Sequence, residues 1–75
     1  MTKNPFIKFL LDDILPEVIN DYIIFEENEI VTSKKAFELV KIYNKYFWLK
    51  YNITLEFNIL FLEDLAKELT NYFKA

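Results

Sequence analysis

Ile53-Thr54-Leu55-Glu56-Phe57-Asn58-Ile59-Leu60-Phe61 decides the fold class of this 75-residue chain. Apolar residues take every odd position, and Thr54, Glu56, Asn58 and Leu60 alternate with them, the period-2 pattern of a half-buried strand. The same residues also suit a short helix followed by an extended turn. An upstream stretch is open in the same way. Tyr22–Phe25 and Glu29–Val31 read as two short strands around Glu26–Asn28, or as an extended loop pinned by its apolar side chains. If both stretches are strands, the domain is α+β, with short strands near 22–31 and 53–60. If they are loop and short helix, it is all-α, a small four-helix bundle, and this is the reading adopted.

The remaining segments are helical by pattern. Asn4 suits an N-cap and Pro5 the first helical turn. Ile7, Leu10, Leu11, Ile14 and Val18 then recur at helical spacing, with Lys8, Asp12 and Asp13 opposite. Pro16 lacks an N–H and crowds the preceding turn, so it ends or kinks this helix. The expected span is about 5–15, with a bent continuation to 20. Thr32 and Ser33 precede a second helix over 33–50. Ala36, Val40, Tyr43 and Phe47 line its inner side, Phe37 and Leu39 widen it, and Lys34, Lys41, Asn44 and Lys45 face out. Asn52 breaks it. Leu62, Leu65, Ala66, Leu69 and Phe73 make the buried stripe of a last helix, with Glu63 and Asp64 in its first turn and Lys74 in its last, as the helix dipole favours.

Length and composition bound the function. The chain is expected to form one domain over 1–75, burying only about 60% of its unfolded surface. It offsets this with 53% hydrophobic and 19% aromatic residues. There is no Cys, His or Gly. Disulfides, thiolate metal sites, imidazole bases and Gly-rich phosphate loops are therefore absent, and an enzyme acting alone is not expected. The adjacent acids Asp12–Asp13, Glu26–Glu27 and Glu63–Asp64 point in different directions on a helix, so they form no acid–base couple. No run of 18 apolar residues and no signal peptide is visible, which makes the cytoplasm the default and a membrane span unexpected.

The net charge of -3 divides unevenly. Asp12, Asp13, Glu17, Asp21, Glu26, Glu27 and Glu29 precede a basic middle of Lys34, Lys35, Lys41, Lys45 and Lys50, in which Glu38 is the sole acid. Two solvated faces that attract each other explain this, and so does a docking face. All cations are Lys and the pI is about 4.8, so specific nucleic-acid binding is not expected. Tyr43, Tyr46, Phe47, Trp48 and Tyr51 are too many for one buried face. Residues 43 and 47 point differently from 48 and 51, so part of the cluster is exposed and available as an interface.

Thr32-Ser33-Lys34-Lys35-Ala36-Phe37-Glu38-Leu39-Val40 sets a serine at the start of an amphipathic helix, followed by Glu-Leu-Val. Tyr46-Phe47, Ile53-Thr54 and a final amphipathic helix come after it. This layout resembles the acyl carrier protein family, including its peptidyl and D-alanyl members, over nearly the whole chain. The resemblance implies an all-helical bundle, with Ser33 carrying a phosphopantetheine arm that holds an acyl or aminoacyl group as a thioester. It also implies a phosphopantetheinyl transferase and acyl-transferring enzymes as partners of a monomer, with Lys34, Lys35 and Glu38 at the partner contact. Thr32 stands where the family has Asp and Lys34 where it has an apolar residue. This helix bears Lys34, Lys35, Lys41 and Lys45 where the family's is acidic, which implies either that the family's enzymes do not recognise it or that its partners carry the opposite charge. A helix N-terminus suits an attached phosphate, and Ser33 also suits a plain N-cap. The alternative is a small acidic protein-interaction domain, such as an inhibitor, immunity protein or regulatory subunit, or a carrier fold that is never modified.

Overall fold

A computed structural model describes residues 4–18 and 25–74. They form three helices. The first, α1, is one rod in three stretches: Pro5–Phe9 in α geometry, Leu10–Ile14 in π geometry and Leu15–Val18 in α geometry again. The second, α2, spans Ser33–Tyr51, and the third, α3, spans Ile59–Tyr72. No strand occurs among the described residues.

Asn4 caps α1 as its sequence suggests, its Oδ1 accepting the Phe6 and Ile7 N–H groups at 2.9 and 3.3 Å. Pro16 does not end the rod. The Leu15 N–H reaches back to the Leu10 carbonyl, a π-type bond, and the wide turns finish at Ile14, two positions before the proline. A residue with no N–H to offer thus follows a stretch whose ladder has already shifted register. The continuation past residue 15 is helical to Val18, and its expected last residues 19–20, with the proposed strand residues 22–24, lie outside the described residues.

The α+β alternative is overturned by where the backbone bonds go. Residues 53–58 form neither helix nor strand. Leu55 and Phe57 are half-buried between exposed Thr54, Glu56 and Asn58, while Ile53 is exposed, so the alternation holds over 54–58. What lies beside them is α2, and the Leu55 N–H donates to Asn44 Oδ1 at 2.9 Å. The 25–32 loop sends its donors elsewhere. The Asn28 N–H meets the Phe73 carbonyl at 2.9 Å and the Val31 N–H meets Thr70 Oγ1 at 2.9 Å. Among the described residues no ladder joins the two stretches. The short helix expected before the last one is likewise replaced by this non-helical strip.

Asn58 Oδ1 accepts the Phe61 N–H at 2.8 Å, which starts α3 at Ile59, three residues before the expected stripe. Glu63 and Asp64 therefore fall in the second turn rather than the first, and Lys74 lies past the last. Asn52 closes α2 in the left-handed region, φ 58° and ψ 39°, where its N–H bonds the Trp48 carbonyl at 2.9 Å. The chain has no glycine, and Asn takes both positive-φ positions described, Asn28 and Asn52. Asn tolerates that region better than other side chains with a Cβ.

The core is closed and apolar. Ile7, Leu10, Leu11, Ile14 and Val18 from α1, Ala36, Val40, Tyr43 and Phe47 from α2, and Leu62, Leu65, Ala66 and Leu69 from α3 are all buried, as their spacing predicts. Leu15, Leu39 and Ile42 join them. Phe37 does not. It is half-exposed, with Lys41 Nζ 4.9 Å over its ring. Asn44, expected to face out, is half-buried through its bond to the strip. No described helix is long and apolar enough to cross a membrane.

Candidate functional site

Ser33 opens α2 as its first helical residue, but the cap belongs to Thr32, whose Oγ1 accepts the Lys35 N–H at 3.2 Å. Ser33 is half-buried. Lys34 is exposed. Lys35 turns to the 25–32 loop, 2.6 Å from Glu29 Oε1 and 4.9 Å over the Phe25 ring. Glu29 also accepts the Glu26 N–H at 3.1 Å. The Lys35 hydrogen bond, and after it that backbone N–H, hold the Glu29 carboxyl below its ordinary range. Glu38 pairs with Lys41 at 3.5 Å on the outer face of α2. The four residues singled out from sequence thus lie on the first turns of one helix, with Lys35 serving the loop.

A cleft of about 270 Å³ opens elsewhere, between the end of α1 and the second half of α2. Val18, Ile42 and Leu49 supply its apolar surface, and Glu17, Lys45, Tyr46 and Lys50 surround it. Ser33 is not among its lining residues, and Ile42 is nine residues further along α2, about 14 Å at the helical rise.

The rim is tied by a chain of hydrogen bonds. Lys50 Nζ donates to the Tyr46 hydroxyl at 2.9 Å, and that hydroxyl donates to Glu17 Oε2 at 2.6 Å. Lys50 and Glu17 stand 3.9 Å apart. The Tyr46 bond foremost, then the Glu17 charge, raises the Lys50 pKa above its ordinary 10.5. Lys50 also lies 5.2 Å over the Tyr46 ring and 5.8 Å over that of Tyr51. These contacts fix the rim side chains while Leu49, 74% exposed, stands at the mouth.

The cleft was not visible as a constellation in the sequence. Glu17 and Lys50 belong to the acidic and basic stretches whose attraction was expected, but 33 positions separate them. Tyr46 and Leu49 sit at helical spacing from Ile42, and only the docking of α1 gives that face a wall.

Other large apolar side chains are also exposed. Trp48 and Tyr51 are half-exposed, as the crowding of the aromatic cluster predicts, while Tyr43 and Phe47 are buried. Ile59 and Leu60 stand 61% and 67% exposed on the first turn of α3. Phe6 and Phe9 lie at the surface beside the half-buried Phe57 and Phe61, with neighbouring rings 4.8–6.4 Å apart.

Comparison with protein-family models, curated proteins and solved structures gives no match to this chain.

Proposed function

We propose that this chain is a small cytoplasmic protein-interaction domain, of the inhibitor, immunity-protein or regulatory-subunit kind, that takes an apolar side chain of a protein partner into the cleft between α1 and α2. The observation that carries this is an apolar cleft held open at the surface by the Glu17–Tyr46–Lys50 bonds, in a domain whose own core is already closed. Exposed apolar surface rimmed by polar groups is the usual form of a protein contact. No step of bond chemistry is assigned to the chain.

Leu49→Asp tests it, because Leu49 is exposed and its replacement leaves the core untouched. The tagged chain is expected to retain a defined protein from its source cells. That protein, once purified, should bind the parent and Ser33→Ala chains and lose at least about tenfold in affinity for Leu49→Asp. Equal affinity for parent and Leu49→Asp would remove the cleft from the contact.

A second reading, the phosphopantetheine carrier, is favoured by one feature: Ser33 begins the long helix of an all-helical chain. In it, a phosphopantetheinyl transferase loads Ser33, Lys34 and Glu38 contact the acyl- or aminoacyl-transferring enzymes, and Lys35 holds the preceding loop. The half-buried position of Ser33 and the distance of the cleft weigh against it. Intact mass after incubation with coenzyme A, magnesium and a broad-specificity transferase decides. One added arm on the parent but not on Ser33→Ala establishes the carrier.

A further inference from the structure

We propose that two copies of this chain pair through the outer face of α2 on one and the start of α3 on the other, in place of the monomer expected from sequence. Lys34, Phe37 and Lys41 recur at i, i+3 and i+7 on α2 and form one exposed stripe, which continues through Lys45 to Trp48. Lys41 lies over the Phe37 ring, so the stripe is aromatic and cationic together. Its single acid, Glu38, is paired with Lys41.

The first two turns of α3 have the complementary character. Ile59 and Leu60 are exposed, and Glu63 and Asp64 follow each of them one turn later on the same sides. Among the described residues, neither Glu63 nor Asp64 is in an ion pair, and neither is Lys34. Within one chain these faces cannot meet, because the inner sides of α2 and α3 pack on each other.

A two-fold arrangement joins them twice, each copy giving one face of each kind. Phe37, Trp48, Ile59 and Leu60 each present on the order of 100 Å², so a pair covers roughly 800 Å² of apolar surface before its charged rim is counted. That is the low end for specific contacts, and it sets a concentration-dependent dimer whose charges choose the register. The pairing goes beyond the cleft reading and does not use Leu49.

Sedimentation equilibrium of the full chain over a range of concentrations and salt tests this. The parent is expected to be a reversible dimer that weakens about tenfold at high ionic strength. The double variants Lys34→Glu/Lys41→Glu and Glu63→Lys/Asp64→Lys should each be monomeric. Their equimolar mixture should dimerise again, because both contacts then join opposite charges. Circular dichroism verifies that each variant is folded, and Phe37→Ala with Leu60→Ser provides a charge-neutral pair that should also be monomeric. A parent that stays monomeric at all concentrations, a dimer indifferent to the substitutions, or a mixture that fails to reassociate each overturns the proposal. Leu49→Asp should dimerise like the parent, so the cleft reading and the dimer stand or fall separately.

Discussion

Tyr43 places a hydroxyl inside an apolar core and satisfies it with the Leu10 carbonyl, 3.0 Å away. That carbonyl also accepts the Leu15 N–H of the π stretch, so it keeps a partner if the hydroxyl is removed. Tyr43→Phe should therefore cost only about 1 kcal/mol, read from urea unfolding. Burial pushes the Tyr43 pKa well above its ordinary 10.0. The unfolded chain ionises first, so stability falls as pH rises past that value, and Tyr43→Phe should flatten this alkaline limb. Glu29 acts at the other end of the scale. Its folded pKa is lowered from 4.5, foremost by Lys35, so its contribution is present above 4.5 and is lost as pH falls through the lowered value. Urea midpoints followed from neutral to acid pH should decline less steeply in Glu29→Gln than in the parent.

Among the helices, the ends are where local chemistry can be tested. Thr32 accepts the Lys35 N–H and Ser33 does not cap, so Thr32→Ala should cost about 1 kcal/mol and Ser33→Ala much less. Equal losses would return the cap to Ser33. Asn52 holds φ 58° at the end of α2, a position a β-branched side chain enters at a cost of about 1–2 kcal/mol. Asn52→Val should lower the thermal midpoint accordingly, and Asn52→Gly should leave it equal or slightly higher. The capped ends were legible where a single residue makes the bond, as at Asn4 and Asn52. Residues 59–61 were misread because the strip's alternation runs three residues into the helix, and period-2 and helical readings overlap in so short an apolar run.

Across the whole molecule, one small core joins the three helices. Leu69 is wholly buried at the α3 contribution to it, and Leu69→Ala should cost about 2–5 kcal/mol. In a domain of this size each kcal/mol lowers the thermal midpoint by about 4–8 °C, so calorimetry should show a fall of about 8 °C or more. The sequence by itself determined which faces are buried, since the stripes of α1, α2 and α3 follow from a helical period that every residue reports locally. It also determined that the Tyr43–Tyr51 cluster splits, because its five side chains span about 200° of the helix, wider than one buried stripe. Tertiary structure alone decided the rest. Residues 53–58 joined no sheet, because the Leu55 N–H bonds Asn44 on α2 and no second strand lies among the described residues. Lys35 turned to Glu29, and Glu17 met the Tyr46–Lys50 pair, itself one helical turn apart, because packing brought together groups that no local period connects.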